Sequence, residues 1–527
     1  MSTRRHFIRQ AGLAGAGLGF LGALGIPAWA AEGYAMPFGV DGTNRLPRAT
    51  PESQGVNSEA IRQFIKAANV SGISWHSFML LRHGKVVAEG WWKPYEPQLV
   101  HTLYSLSKSF TSTAIGLLVK EGKLDIHAKL ISFFPDDLPA TVSDNLRAIT
   151  VKHVLTMNTG HGEDTMPKMG SSKDSWVRTY LAQPVEFAPG THFLYNTGNT
   201  YMLGAIVFKI TGKTLEEYLG PRLFEPLGIA GYDWEKSPQG LNTAGYGLRV
   251  RTEDIACLGQ LYLQKGKWKD AQILTPAWVD EATSSQTTSQ VNNGDWSEGY
   301  GYQFWRCTHG FYRGDGAFGQ YCIVMPQLDA VLAVTSQTPD MQKSLNIIWD
   351  HIPGGMKDGA LPESGASRVM LKKELGALSL PVVRGSMSPA MNRKYDGKRW
   401  TIAENDFKVG GLTFSLSEKS CVLTVSADGQ ETGMEFGWEK WISASARLSY
   451  PFQPKNAAPV PSRIAGTATW VDDKTLQLNV RFIEQIFGDR IRCVFDGDNL
   501  SVSFLNSVAE TATKPTPDQR KGLTGKA

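Results

Sequence analysis

Ser105 and Lys108 stand three residues apart in Leu103-Tyr104-Ser105-Leu106-Ser107-Lys108-Ser109-Phe110-Thr111, just ahead of the apolar run Ala114 to Val119. On a helix, residues three apart share a face, so this hydroxyl and this amine would touch while Ser107 points elsewhere. A serine hydroxyl is not ionised near neutral pH and needs an adjacent base, and a lysine whose pKa is lowered by burial and neighbouring cations can be that base. A place in the first turn of a helix adds unpaired backbone N–H groups that favour developing negative charge. A polar helix start without chemistry could use the same residue types. The sequence holds a single Ser-x-x-Lys, however, and the apolar helix behind it is long enough to be buried and to hold both side chains rigidly.

The elements that must position this pair follow from periodicity. Ser77 to Arg82 and Lys85 to Gly90 flank His83-Gly84, a hairpin signal in which His83 is a turn residue. The Ser105 helix should stop near Gly122. Asn158-Thr159-Gly160-His161-Gly162-Glu163-Asp164 must be a loop, and its polarity makes His161 and Glu163 candidates for substrate contact. Helices follow from Tyr201 to Ile210, after the capping box Thr214-x-x-Glu217, and after Thr252. Period-two strands return at Tyr321 to Met325 and Ala330 to Ser336, and a helix over about 342–351 closes the segment. A hairpin first, helices in the middle, then strands and a helix predict an α+β fold, an antiparallel sheet with helices segregated beside it.

At 527 residues the chain has material for two or more domains and a large core. Its 54 basic and 50 acidic residues nearly cancel without runs of one sign, which points away from nucleic acid or an acidic partner. The five cysteines, at 257, 307, 322, 421 and 493, include no Cys-x-x-Cys pair and read mainly as core residues, with one bridge left open. Residues 1–30 resemble a twin-arginine export signal: Arg4-Arg5, the apolar run Ala11 to Ile26, and Ala28-Trp29-Ala30 before a cleavage point near Ala30. Export through the twin-arginine machinery to the periplasm or beyond is therefore expected. Cleavage removes Arg4, Arg5 and Arg9 and takes the formal charge from +4 to +1. No later segment is long and apolar enough to cross a bilayer, so no stable membrane insertion is expected afterwards. The main body should run over 31–352, with a Pro/Gly/Ser-rich linker over 353–395 that carries one short amphipathic piece. A separate antiparallel β domain, a small barrel or sandwich, is expected over 396–510, and a polar, disordered tail over 511–527.

Three signals stand in one order: Ser105-x-x-Lys108, then Tyr195-Asn196-Thr197, then Gly316-Ala317-Phe318-Gly319-Gln320-Tyr321 leading into a strand that ends at Pro326. Together they resemble the serine β-lactamase and penicillin-binding-protein superfamily, on the branch of class C β-lactamases, family VIII esterases, D-aminopeptidases and 6-aminohexanoate-dimer hydrolases. The resemblance covers roughly residues 50 to 352. It implies a β-lactamase/transpeptidase-like fold with the site in the crevice between a helical domain and an α/β sandwich. It also casts Ser105 as the acylated nucleophile, Lys108 as its proton partner and Tyr195 as the second acid-base group. A tyrosine beside an ammonium is expected to lose its proton more easily.

Two departures from the family pattern bear on specificity. Thr197 replaces the usual Asn of the second motif and keeps only a hydroxyl to offer substrate. Phe311-Tyr312-Arg313 stands where Lys-Thr-Gly is usual, so Arg313, or His309 after a small shift, is the candidate cation for substrate binding. The strand edge near Gly314 and Asp315 would pair a backbone N–H with that of Ser105 as an oxyanion hole, roughly 3 kcal/mol per donor. The expected activity is cleavage of a small-molecule ester or amide with no metal or cofactor. The alternatives are a D-aminopeptidase or DD-peptidase on cell-wall peptides, a β-lactamase, and, from another class, a weakly catalytic binding or sensor protein. The sequence leaves the oligomeric state open.

Overall fold

The computed structural model of this chain describes residues 46–289, 294–385, 388–446, 451–452, 462–511 and 518–527. The export signal expected over 1–30 lies outside them. Helix α1 (Ser58–Val70) starts where Asn57 Oδ1 accepts the Glu59 N–H, and β1 (Ser74–Arg82) and β2 (Lys85–Trp91) follow as a hairpin. His83 and Gly84 make its turn with φ of 50° and 69°. After the short strand β3 (His101–Thr102) comes the turn Tyr104–Leu106, which feeds α2 (Ser107–Lys120), and Gly122 closes that helix at φ 66°. Helix α3 (Thr197–Thr211) is capped by Asn196 Oδ1. Next are β4 (Asp233–Trp234), β5 (Leu248–Val250) and α4 (Thr252–Leu263). Strands β6 (Trp305–Arg306), β7 (Tyr312–Gly316), β8 (Gln320–Met325) and β9 (Ala330–Gln337) precede α5 (Met341–His351).

The central sheet has the order β2-β1-β9-β8-β7-β6 and is antiparallel throughout. Its inner strands are apolar on both faces because both are covered. Phe78, Leu80, Tyr321, Ile323 and Leu332 pack against Phe64 of α1 and Leu345 and Ile348 of α5. Met79, Leu81, Val324 and Val331 share the other core with Cys257 and Leu261 of α4 and Phe110 and Ala114 of α2. The segregated α+β arrangement is the one that the order of periodicities predicts. A small ribbon, β3-β5-β4, lies at the entry to α2.

The Pro/Gly/Ser-rich segment is tied down where its amphipathic piece forms α6 (Gly365–Gly376), whose Glu374 lies 2.8 Å from Arg62 of α1. Beyond it ten strands close into a barrel: β10 (Arg399–Ile402), β11 (Val409–Leu416), β12 (Ser420–Ala427), β13 (Gln430–Trp438), β14 (Ile442–Ala446), β15 (Ser462–Trp470), β16 (Thr475–Phe482), β17 (Gly488–Asp496), β18 (Asn499–Asn506) and β19 (Leu523–Lys526). A parallel pairing of Gly437 and Trp438 with Thr467 and Ala468 completes the closure. Trp400, Phe414, Phe436, Trp470 and Phe495 fill the interior.

One expectation fails here. The polar tail is not wholly disordered, because β19 pairs with both β10 and β18 and carries the barrel to Lys526. Its two inward residues, Leu523 and Gly525, were too few to register as a period-two signal. Just ahead of it, half-buried Arg520 holds Asp489 at 2.8 Å and also pairs with Asp518. All five cysteines are free and buried, so no bridge forms. Among the described residues no helix is long and apolar enough to cross a membrane.

Candidate active site

Helix α2 presents Lys108 one turn after Ser105, and the amine Nζ lies 3.1 Å from Ser105 Oγ. The same nitrogen is 2.8 Å from the carbonyl of Gly245 and 3.4 Å from Thr197 Oγ1, at the start of α3. Lys108 is buried, and desolvation brings its pKa down to about 7, against the pull of Asp164 and Asp315. An amine with that pKa is about half neutral at neutral pH, which is what a base for a serine requires.

Tyr195 arrives from the residues just before α3. Its ring centroid is 4.9 Å from Lys108 Nζ, and it stacks on Trp305 at 5.4 Å and meets Tyr300 edge-on at 6.0 Å. Burial pushes the phenol pKa above its ordinary value and Asp315 adds to that, while the Ser105 hydroxyl, hydrogen-bonded to the phenol, pulls the other way. The expectation of an easily ionised tyrosine is therefore reversed. Lys108 is itself too often neutral to stabilise a phenolate, so the phenol keeps its proton.

The turn that carries Ser105 is strained and tightly held. Tyr104 sits at φ 48°, a left-handed conformation that costs a non-glycine residue on the order of 1–3 kcal/mol. Strand β7 lies directly on this turn. A Cβ at Gly316 would overlap the Leu103 carbonyl, and one at Gly314 would meet Ser109 Oγ and Leu106, so only glycine lets the strand approach this closely. The neighbouring β6 pairs only with Arg313 and Tyr312, so the strand edge from Gly314 to Gly316 is left without a strand partner beside Ser105. Unpaired backbone groups at such an edge can bind a developing oxyanion.

The structure thus brings together Ser105, Lys108, Tyr195, Thr197 and the strand at Gly314 and Asp315. Four other candidates fall elsewhere. Arg313 is fully buried, with its Nε 3.0 Å from Asp315 Oδ2, Nη1 on the Arg306 carbonyl and Cys307 Sγ, and its guanidinium over Trp296 at 4.6 Å. It is a structural cation and not a substrate anchor. His161 is buried in the helical region, where Nδ1 meets Thr159 Oγ1 at 2.9 Å, the ring packs on Tyr180, and burial lowers its pKa to about 4. His309 lies in an exposed turn, beside Phe311 and Trp349 of α5. Glu163 is exposed near Lys168.

Sequence reading missed several residues. Gly245, whose carbonyl holds Lys108, lies in the turn Thr243-Ala244-Gly245-Tyr246-Gly247, where glycines were the one available signal. Asp164 Oδ1 accepts the N–H of Thr197 at 3.0 Å and so fixes the start of α3. Among the described residues no group of three or more His, Cys, Asp or Glu is placed to hold a metal ion.

The chain is similar to known proteins over part of its length. The chain is 25% identical over 286 residues to a 6-aminohexanoate-dimer hydrolase from Paenarthrobacter ureafaciens, covering 50% of this chain and 73% of that one. It is 24% identical over 312 residues to a β-lactamase from Escherichia coli (strain K12), covering 55% and 76%. The solved structure of an octameric penicillin-binding protein homologue from Pyrococcus abyssi is 16% identical, with a TM-score of 0.44 over 89% of this chain and 98% of that one. The family model for β-lactamases matches residues 58–352, from the first turn of α1 to the end of α5. Because that match takes in the whole sheet-and-helix body and more than half of the 527 residues, the chain belongs to the β-lactamase family.

Proposed function

We propose that this protein is a serine hydrolase that cleaves a small ester or amide through an acyl-enzyme on Ser105. The observation that carries the reading is the 3.1 Å approach of Lys108 Nζ to Ser105 Oγ in a setting where burial brings the amine to a pKa of about 7. Neutral Lys108 takes the hydroxyl proton as Oγ bonds to the substrate carbonyl carbon, and the oxyanion faces the strand edge at Gly314 and Asp315. As the bond to the leaving group breaks, Tyr195 gives its proton to the departing oxygen or nitrogen and regains one from Lys108. Water then repeats the sequence in reverse and releases the acid.

The charges near the site bear on the substrate class. Arg313, the cation the sequence offered for a substrate carboxylate, is buried and paired with Asp315, and Asp164 and Asp315 both act on Lys108. Esters and amides without an anion beside the scissile bond fit better than penicillins do. The twin-arginine signature at Arg4-Arg5 supports export of the folded enzyme.

The test is labelling with a fluorophosphonate or activated ester. Modification should map to Ser105 and vanish in Ser105→Ala, and persistent labelling would place the nucleophile elsewhere. A panel of p-nitrophenyl esters, D-amino-acid anilides and nitrocefin should show esters turned over fastest, and rapid nitrocefin hydrolysis would overturn the specificity reading.

A further inference from the structure

The barrel touches the catalytic body at a place with direct bearing on Ser105. Its β16–β17 hairpin ends in Ile483, Glu484, Gln485, Ile486 and Phe487, and this tip reaches across to β3. The Glu484 carbonyl accepts the N–H of Thr102 at 3.1 Å, and the Gln485 carbonyl accepts the Tyr95 hydroxyl at 3.3 Å. Thr102 is three residues before the nucleophile and two before strained Tyr104. The Glu484 carboxylate lies between two cations, 3.6 Å from Arg249 of β5 and 3.5 Å from Arg463 of β15. Arg249 stands opposite Thr102 in the β3–β5 pairing and is itself held by Asp233 at 2.7 and 2.8 Å.

The chain entering Ser105 is therefore gripped at successive residues by different parts of the molecule. Thr102 N–H is held by the barrel, and Leu103 N–H by the Leu248 carbonyl at 3.0 Å. The Leu103 carbonyl is covered by Gly316. The Tyr104 carbonyl accepts Ser107 Oγ at 2.7 Å, and Ser107 in turn accepts the Leu248 N–H at 3.2 Å. A left-handed tyrosine persists only where its surroundings over-determine it. The grip at Thr102 is the first of these holds and the one that comes from outside the catalytic body.

We propose that Glu484 is a positioning residue for the nucleophile: through its carbonyl on Thr102 and its carboxylate between Arg249 and Arg463, the barrel fixes the lead-in to Ser105. This assigns the barrel a part in catalysis without placing any of its atoms on the substrate. The proposal rests on Ser105 being the nucleophile, and its test separates the two ideas.

The full-length protein and its Glu484→Ala and Glu484→Gln variants are compared by amide hydrogen exchange over residues 102–106, by the rate of fluorophosphonate labelling at Ser105, and by steady-state hydrolysis of p-nitrophenyl butyrate. Loss of the carboxylate should speed exchange at Thr102 through Ser105 by about tenfold or more while the central sheet stays protected. The labelling rate and kcat should fall together by about tenfold with KM within about twofold, because misplacement of a reacting group costs rate and not ground-state binding. Glu484→Gln, which keeps a contact to Arg249, should recover most of the loss. Unchanged exchange, unchanged labelling, or a rise in KM alone would each overturn the proposal. If Glu484→Ala fails to fold, Arg463→Met, which removes one of the two cations that hold the carboxylate, is compared by the same measurements and should shift them in the same direction. If the wild type is never labelled at Ser105, the hydrolase reading falls, and exchange over 102–106 still decides whether Glu484 holds this segment.

Discussion

An amine that is half neutral near pH 7 makes the site a proton acceptor without help from a histidine. Below that pH Lys108 is protonated and cannot take the Ser105 proton, so kcat/KM should fall tenfold per unit on the acid side and level off above an apparent pKa near 7. A pH–rate profile measures this, and a flat profile between pH 5 and 9 would remove Lys108 as the base. Tyr195 stays neutral because desolvation and the nearby Asp315 hold its proton in place, and it can then serve chiefly as a donor to the leaving group. Tyr195→Phe should accordingly lower kcat by about 10²-fold or more for anilides, which need a proton to leave, and much less for p-nitrophenyl esters, which do not. The pairing of Ser105 with Lys108 was legible because they stand one turn apart across the start of α2. Arg313 and His161 misled because a residue's type says nothing about which side of a strand or loop it will occupy.

At the scale of elements, what matters is how closely β7 lies on the turn before α2. Gly316 has no Cβ to push the strand away from the Leu103 carbonyl. Gly316→Ala forces a shift of the strand or of the turn, and overpacking of this kind costs about 1–3 kcal/mol. It should lower the melting temperature and slow labelling of Ser105 in the same variant; normal labelling would show that the turn tolerates the displacement. The β1–β2 hairpin, the strands leading to α5 and the stop of α2 at Gly122 were visible in the sequence, since each is set by local turn chemistry and alternation. The ribbon β3-β5-β4 was not, because two- and three-residue strands carry no periodicity and form only where partners from distant segments meet.

Across the whole molecule, body and barrel meet over a buried histidine pair. His101 Nδ1 lies 2.9 Å from the Thr102 carbonyl and must donate to it, so its Nε2 accepts the proton of His76 Nδ1, also at 2.9 Å. His76 stacks on Tyr95 at 3.9 Å, with Ser74 Oγ 3.3 Å from its other nitrogen and Arg481 of the barrel adding positive potential. Both rings are thus held neutral by burial, His101 with a pKa of about 4 and His76 also lowered. Unfolded histidine titrates near 6.5, so between 6.5 and about 4 the unfolded chain binds more protons than the native one. Stability should be full above pH 6.5 and drop as the pH falls through that window. Melting temperatures across pH 4 to 7 measure the drop, and His76→Phe, which keeps a ring over Tyr95, should flatten part of it. An unaltered slope in that variant would exclude the pair as its source.

By itself the sequence determined that Ser105 and Lys108 would be neighbours, the α+β order of the body and a second all-β unit, because helical spacing, strand alternation and turn residues act over a few positions. Only the tertiary structure decided that Lys108 is dry enough to lose its proton, that Tyr195 keeps its own, that Arg313 is spent on Asp315, and that residues as late as Lys526 close the barrel. Burial and ion pairing are properties of neighbours brought from far along the chain, and the field at an atom depends on all of them at once.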